Sequence, residues 1–192
     1  MADTWLVVGL GNPGPDYART RHNIGQMVVA ELEHRAGAAP KRHGKADALV
    51  AESRVVGGPK VITAFPQSYM NRSGGPVSKL MDYYGVDVDH VIVLHDELDL
   101  PLGELRLKQG GGHGGHNGMR DIIAARGPEV LRVRLGIGRP PGRQDAADFV
   151  LKPFAKIEQA EAELLVQLGA DAVERIIAEG FLAAQQRVHS PS

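Results

Sequence analysis

The sequence predicts an α/β fold, as a single-domain, three-layer α/β/α globule with a central mixed, mostly parallel sheet. The 192 residues suit one domain over 1–192, with a frayed tail expected from about residue 188. Segments that look like buried strands alternate with segments of helical periodicity, which is typical of a sheet covered on both faces by helices. The turn Gly57-Gly58-Pro59 joins two strand-like segments and indicates a hairpin, so the sheet should be mixed.

The elements follow from apolar pattern and from the residues that end each segment. Dense apolar runs or short strand-like segments predict strands over 5–10, 47–56, 60–65, 90–94, 102–107 and 130–137. Helical spacing predicts helices over 23–35, 73–84, 119–125 and 156–178, with Gly37 and Gly85 ending the first two. Residues 138–143 should form a loop, because their prolines and glycines deny them a strand ladder.

Composition excludes several classes of protein. The chain has no cysteine, which rules out disulfides, thiolate catalysis and cysteine zinc sites. It shows neither a secretory signal nor an apolar run long enough to span a bilayer, so we expect a cytoplasmic protein that does not contact membranes. The net charge of −1 gives no hint of a nucleic-acid partner, although local clusters of lysine and arginine could bind phosphates.

The first glycine cluster, Gly9-Leu10-Gly11-Asn12-Pro13-Gly14, has the spacing of a dinucleotide-binding loop. A site for NAD or flavin is therefore an alternative interpretation. Against it, Pro13 and Pro15 remove backbone N–H groups from a loop that would need them for pyrophosphate. Polar residues 16–23 also separate the loop from the first helix.

His22 and Asp96 are the candidate catalytic pair. His22 lies in the loop before the first helix, and Asp96 comes just past the buried strand 90–94, so both fall where α/β sheets bind ligands. An aspartate beside an imidazole fixes the ring tautomer and favours its charged form. The G-x-S-x-G motif is absent and there is no cysteine, so the pair suggests general-base activation of water. A solvated histidine and a turn-capping aspartate are the plainer alternatives.

The glycine-rich segment 110–118 carries His113 and His116. One interpretation is a metal site, completed by His22, His95 and Asp96, but histidines three apart in such a loop have no fixed ligand geometry. A flexible hinge is another. Asn117 could cap the following helix and still offer its amide to a substrate carbonyl.

Three loop asparagines and two tyrosines complete the candidate site. The carboxamides of Asn12, Asn71 and Asn117 can both donate and accept hydrogen bonds, which suits recognition of a peptide. Tyr17 and Tyr69 could stack on a nucleobase or pack against the sheet edge.

Taken together, these segments resemble the bacterial peptidyl-tRNA hydrolase family, in order from about Trp5 to Ala184. The motifs that carry the resemblance are the first glycine cluster with Tyr17, Thr20-Arg21-His22-Asn23 with Gly25, Ser68-Tyr69-Met70-Asn71-Arg72-Ser73-Gly74, His95-Asp96-Glu97-Leu98-Asp99-Leu100, the segment 110–118, Arg132-Val133-Arg134-Leu135-Gly136-Ile137-Gly138, and Phe149-Val150-Leu151-Lys152-Pro153.

The resemblance implies a monomeric esterase without metal or cofactor, which recycles tRNA by hydrolysing the ester between a peptide and the 3′-terminal adenosine. His22 would take a proton from water, Asp96 would stabilise the charged imidazole, and Asn12 would distinguish a blocked amino group from a free one. Asn71 and Asn117 would bind the peptide backbone or the adenosine, and Asn117 could also hold the water or the oxyanion.

The resemblance also implies how the tRNA is held. Tyr17 and Tyr69 would line the crevice for its 3′ end, while Lys108 and Arg134 would grip its 5′ phosphate. Arg106 stands where some relatives carry lysine, which leaves its share in phosphate binding open. The loop from Arg139 to Arg143 would be a mobile gate beside the crevice; whether the wider segment 138–149 gates the site is left open. The rival hypotheses are an NAD-dependent oxidoreductase, a non-catalytic RNA-binding module and a metal-dependent hydrolase.

Overall fold

The computed structural model describes residues 3–189 and contains one seven-stranded sheet. Its strands are β1 (Thr4–Gly9), β2 (Lys41–Arg42), β3 (Ala48–Arg54), β4 (Lys60–Pro66), β5 (Val91–Glu97), β6 (Leu105–Gln109) and β7 (Leu131–Gly136), in the order β2-β3-β4-β1-β5-β7-β6. The inner strands β4, β1, β5 and β7 are parallel, while β3 and β6 run antiparallel to their neighbours. The mixed, mostly parallel sheet is therefore confirmed.

Within residues 3–189, six α-helices cover this sheet on both faces. They are α1 (Ile24–Ala36), α2 (Gly74–Tyr84), α3 (Asn117–Arg126), α4 (Ala146–Val150), α5 (Gln159–Glu179) and α6 (Phe181–His189). Residues of α1, α5 and α6 share one apolar core with the sheet, and residues of α2 and α3 share the other. The three-layer arrangement is confirmed. Within residues 3–189, no helix combines the length and the apolar character that crossing a membrane requires.

The strands β1 and β5 are apolar throughout because both of their faces are buried. Leu6 and Val8 of β1 face the core shared with α2 and α3, whereas Val7 faces the core shared with α1 and α5. The helix α1 lies so close to these strands that a side chain at Gly25 would overlap the carbonyl oxygen of Leu94. This close packing fixes the start of α1, and therefore His22, against the carboxyl end of the sheet.

Several elements differ from the sequence-based expectations. The strand β2 is too short for periodicity to reveal, and α4 and α6 were not predicted. The strand expected over 102–107 lies at β6 instead, because Gly103, with φ of 93°, forms part of a turn before it. Asp96 lies within β5 rather than past its end. The expected frayed tail falls mostly on 190–192, outside the described residues, while Val188 and His189 end α6.

Candidate active site

A cleft of about 360 Å³ opens where the parallel strands β1, β4 and β5 end. Because the carboxyl ends of parallel strands meet at one edge, the loops that follow them converge there. Six of the seven residues predicted for catalysis and for the tRNA 3′ end line this cleft: Asn12, His22, Tyr69, Asn71, Asp96 and Asn117. The seventh, Tyr17, lies behind it, with its ring edge-on to that of Tyr69 at 6.2 Å between centroids.

His22 and Asp96 are hydrogen-bonded as predicted from the sequence. His22 lies in a short 3-10 turn, Arg21–Asn23, and its Nδ1 is 2.9 Å from Oδ2 and 3.0 Å from Oδ1 of Asp96. A carboxylate can only accept, so Nδ1 carries the proton and Nε2 is left with a free lone pair. Burial opposes protonation of His22, but the charge of Asp96 and its hydrogen bond raise the pKa of the imidazole overall.

Asp96 is shared by a second histidine, His116, which the sequence analysis considered only as a metal ligand. The Nε2–H of His116 donates to Asp96 Oδ1 at 2.8 Å, and its Nδ1 accepts the backbone N–H of Met119 at 3.2 Å. The carboxylate side chain is only 2% exposed. Although burial disfavours the carboxylate, the charges and hydrogen bonds of His22 and His116 hold the pKa of Asp96 well below its usual range.

The cap of α3 is therefore His116 and not Asn117, which corrects the sequence-based expectation. A histidine is an uncommon helix cap, because serine, threonine, aspartate and asparagine are strongly preferred at that position. Asn117 instead occupies the first position of α3, where its side chain lines the cleft.

One nitrogen of each of His22 and His116 and a carboxylate oxygen of Asp96 lie within 4.8 Å of one another, a spacing that a metal ion could bridge. Their contacts are, however, hydrogen bonds of 2.8–3.0 Å, in which both nitrogens facing Asp96 carry protons. The other two histidines of the metal interpretation, His113 and His95, are hydrogen-bonded to backbone groups outside this cluster or beside it. His113 Nδ1 accepts the N–H of Gly115, and His95 is buried and donates to the carbonyl of Asp96.

The glycine cluster serves packing rather than the predicted alternative of nucleotide binding. The Asn12 N–H, which a pyrophosphate would require, donates to Asn23 Oδ1 at 2.9 Å. A side chain at Gly11 would meet the Asn23 carboxamide at 2.8 Å, and one at Gly9 would collide with the backbone of Gly25. These glycines thus allow α1 to approach β1, so the described loop does not present the features of an NAD site.

Asn12 itself is oriented by its neighbours. Asn23 Nδ2 donates to the Asn12 carbonyl at 2.9 Å, and Asn12 Oδ1 accepts the N–H of Met70 at 2.7 Å. Since the carboxamide oxygen is occupied, the Nδ2 amino group is the part of Asn12 that remains to face a substrate. The sequence analysis missed this role of Asn23, which only the folded contact reveals.

The three residues predicted to bind phosphate lie on one face of the β6–β7 ladder. Arg106 pairs with Arg134 and Lys108 pairs with Arg132, so the four side chains share a face. Arg134 connects this face to the cleft, because its Nε and Nη2 are each 3.0 Å from Oε1 of the cleft residue Glu97.

Arg132 belongs to a basic cluster of the sequence, yet the structure gives it another role. It is 2% exposed, and its guanidinium donates to the backbone carbonyls of Gly111, Gly112 and Pro128. The residue therefore anchors the glycine-rich segment that leads to His116. Lys108 lies against the same segment, since a side chain at Gly111 would meet its Nζ at 2.8 Å.

The loop expected to act as a gate leads into α4, which forms one wall of the cleft. Residues 138–145 have no regular secondary structure, and α4 follows them with Asp145 as its cap. Ala146, Ala147 and Val150 of α4 line the cleft. Arg139 is held to Asp99 by hydrogen bonds of 2.6 and 2.8 Å. Opening of this segment stays a prediction.

Fold and site together define the class: an α/β enzyme of the hydrolase type, with an oriented imidazole and three carboxamides in one cleft. In residues 3–189, no hydroxyl group is hydrogen-bonded to His22, so the geometry provides a base without a side-chain nucleophile. The family model described as peptidyl-tRNA hydrolase matches residues 6–192. The chain belongs to this family, which confirms the resemblance found in the sequence.

Individual relatives agree with this assignment. The peptidyl-tRNA hydrolase of Kineococcus radiotolerans is 55% identical over the whole of both chains. That of Renibacterium salmoninarum is 57% identical, with 98% of each chain covered. Among solved structures, the peptidyl-tRNA hydrolase of Acinetobacter baumannii superposes with a TM-score of 0.91 at 35% identity, covering 99% of this chain and 96% of that one.

Proposed function

We propose that this hydrolase cleaves the ester between a peptide, or an N-blocked aminoacyl group, and the 3′-terminal adenosine of tRNA, with His22 as the general base and Asp96 orienting it. The cleaved tRNA is thereby recycled from prematurely released peptidyl-tRNA. Membership of the peptidyl-tRNA hydrolase family supports the reaction. The observation that carries the assignment of residues is the His22–Asp96 hydrogen bond, which leaves Nε2 unprotonated at the cleft.

In the proposed mechanism, His22 Nε2 takes a proton from water as the water oxygen attacks the ester carbonyl carbon. The tetrahedral intermediate then collapses, and the bond to the ribose 3′ oxygen breaks. That oxygen leaves with the proton from the imidazolium, giving the free peptide acid and the tRNA hydroxyl. The negative charge of Asp96 stabilises the imidazolium while it exists. General-base catalysis of this kind contributes about 10²–10⁴-fold to the rate.

The orientation of Asn12 supports its proposed role in selecting blocked substrates. Its amino group is a hydrogen-bond donor, and the hydrogen bond from Met70 N–H to Oδ1 fixes the orientation of the carboxamide. A blocked α-nitrogen brings a carbonyl oxygen that can accept from this donor. A free ammonium has only donors and a positive charge, so it would leave the Asn12 amino group unpaired. The site should therefore disfavour ordinary aminoacyl-tRNA.

The remaining cleft residues would bind the acyl chain and the terminal nucleoside. Asn71 and Asn117 offer carboxamides to the peptide backbone or to the adenosine, and Asn117, at the start of α3, could also hold the attacking water or the oxyanion. Tyr69 is 60% exposed at the cleft and presents a ring on which a base can stack, with Tyr17 supporting it edge-on.

For the 5′ phosphate we propose Lys108 and Arg134, with Arg106 beside them on the same face of the ladder. The pairing of Arg134 with Glu97 does not exclude this role, since its 23%-exposed side chain can still reach an anion. The monomeric state, the cytoplasmic location and catalysis without metal or cofactor are also proposals that rest on the family.

The decisive experiment compares turnover of N-acetyl-aminoacyl-tRNA by wild type and by His22→Ala, with a chelator present throughout. We expect wild-type hydrolysis in chelator, a fall of about 10²–10⁴-fold in the variant, and unchanged circular dichroism. His34→Ala is the matched control, because His34 is an exposed histidine of α1. Turnover that survives in His22→Ala would refute the assigned base, and turnover lost only in chelator would favour the metal-dependent alternative. Binding of tRNA without any turnover would favour an RNA-binding module.

A further inference from the structure

The strand β6 is the edge of the sheet, where backbone groups on the outer side normally lack partners. Two side chains of α6 fill this position at Leu107. Gln185 Nε2 donates to the Leu107 carbonyl at 3.0 Å, and the Leu107 N–H donates to His189 Nε2 at 3.0 Å. Because Gln185 and His189 are four residues apart, they project from the same side of the helix. At Leu107, the helix thus supplies the hydrogen-bond donor and acceptor that a neighbouring strand would otherwise supply.

In β6, Leu107 lies between Arg106 and Lys108, two of the residues proposed to bind phosphate. Its own side chain is 2% exposed and belongs to the core with α1 and α5. The two flanking side chains point to the opposite face, where they meet Arg134 and Arg132 across the ladder. The backbone at Leu107 therefore sets the direction in which Arg106 and Lys108 project.

We infer that Gln185 and His189 are positioning residues for tRNA binding: they hold the edge strand so that Arg106 and Lys108 meet the 5′ phosphate together with Arg134. We call this pair the α6 clasp. Neither residue touches the reacting atoms, so the clasp acts on affinity for the tRNA and leaves the chemical step alone. The inference rests on the proposed function, which supplies the phosphate as ligand.

The electrostatic surroundings of His189 agree with its part in the clasp. Nε2 can accept the Leu107 N–H only while the ring is neutral. Burial, together with the positive charges of Arg106 and Arg134, lowers the pKa of His189 and so favours the neutral ring. Arg106, one of the two cations that the clasp positions, therefore also favours the neutral ring that the clasp requires.

The test uses variants that remove one hydrogen bond at nearly constant shape. Gln185→Met removes the donor, His189→Met removes the acceptor, and His189→Gln restores an acceptor near the position of Nε2. Leu182→Ala is the control, because Leu182 is 72% exposed on the same helix. The substrates are two N-acetyl-aminoacyl minihelices of identical sequence, one with and one without a 5′ phosphate.

With the 5′-phosphorylated minihelix, each methionine variant should raise KM about three- to tenfold, the scale of one neutral hydrogen bond, with kcat within about twofold of wild type. Without the 5′ phosphate, KM should not change, and His189→Gln and the control should behave as wild type. In a Lys108→Met background, Gln185→Met should lose most of its effect, since coupled residues are not additive. Equal losses on both minihelices, or an unchanged KM on both, would overturn the inference.

A second measurement separates the clasp from the proposed function. Exchange of the Leu107 backbone amide with solvent, followed by NMR on the full chain, needs no substrate. We expect about tenfold faster exchange in His189→Met and near wild-type exchange in His189→Gln. If the wild-type chain cleaved neither minihelix, the proposed function would fail while this measurement still reported on the clasp. Unchanged exchange in His189→Met would refute the clasp whatever the activity.

Discussion

Replacing Asp96 with asparagine tests the orientation of the proposed base more sharply than removing the base itself. Oδ1 of Asp96 accepts from His116 at 2.8 Å and Oδ2 accepts from His22 Nδ1 at 2.9 Å. In Asp96→Asn, an amide oxygen that keeps the bond to His116 puts the amino group opposite His22 Nδ1. Two donors would then face each other. His22 can avoid this conflict only by moving its proton from Nδ1 to Nε2, where it can no longer accept one from water.

Asp96→Asn lowers kcat in two ways, through the lost hydrogen bond to His22 and through the changed tautomer of the imidazole. A hydrogen bond to a charged partner contributes about 1.5–3 kcal/mol, and at about 1.4 kcal/mol per tenfold its loss alone slows the reaction by roughly 10–150-fold. The change of tautomer adds to this, because most of the imidazole then presents a proton to the water. We therefore expect kcat of Asp96→Asn to be about 10²–10⁴-fold below wild type, the range typical of general-base catalysis.

The pH dependence should change in a defined direction. In wild type the proposed base is neutral His22, so activity should fall as the pH falls through the pKa of His22. Burial lowers this pKa, but Asp96 raises it above the ordinary value overall. Asparagine removes the charge and leaves burial, which lowers the pKa. The acidic limb of the kcat profile should therefore move to lower pH in Asp96→Asn while the plateau drops.

The assay is kcat for N-acetyl-aminoacyl-tRNA at saturating substrate between about pH 5 and 9. Asp89→Asn serves as the matched control, because Asp89 is exposed at the far end of the sheet, before β5 begins. Circular dichroism confirms that both variants fold. A plateau within threefold of wild type would show that Asp96 does not orient the base. An unmoved acidic limb would show that the limb belongs to a group other than His22.

Three further predictions concern binding and stability. Lys108→Met should weaken tRNA binding and reduce the slope of log K against log salt by about one phosphate contact; an effect on kcat alone would contradict this, and filter binding at several salt concentrations measures it. Gly25→Ala should cost about 1–3 kcal/mol by overpacking, because the new methyl group meets the Leu94 carbonyl; an unchanged urea midpoint would refute it. Glu33→Gln should raise Tm at alkaline pH, because burial raises the pKa of Glu33 above its unfolded value and folding weakens as the pH rises through that pKa. The gain should shrink below the unfolded pKa, and a gain that grew with acidification would be contrary to this reasoning.

The sequence predicts those features that depend on local pattern. The apolar runs of β1 and β5 identify the centre of the sheet, and the turn after β3 identifies its hairpin. His22 and Asp96 could be predicted as a pair because both follow from the rule that ligands bind at the carboxyl ends of parallel strands. By contrast, β2 has only two residues, so local pattern gives little signal for it. The helix α6 does carry Phe181, Ala184 and Val188 at helical spacing, a signal that the sequence analysis did not use.

What the sequence does not reveal depends on contacts between distant segments. Arg132 looks like one more surface cation in a basic cluster, yet the fold buries it against three backbone carbonyls. His116 lies among glycines, where it resembles a metal ligand, yet its Nδ1 receives the N–H of Met119 and so directs its Nε2–H toward Asp96. With these two donors, each oxygen of the buried Asp96 carboxylate accepts a hydrogen bond, which compensates for part of the cost of burying its charge. Asp96 therefore stays ionised although it is buried. In the proposed mechanism, the ionised Asp96 holds the proton of His22 on Nδ1 and leaves Nε2 free for the water that attacks the ester.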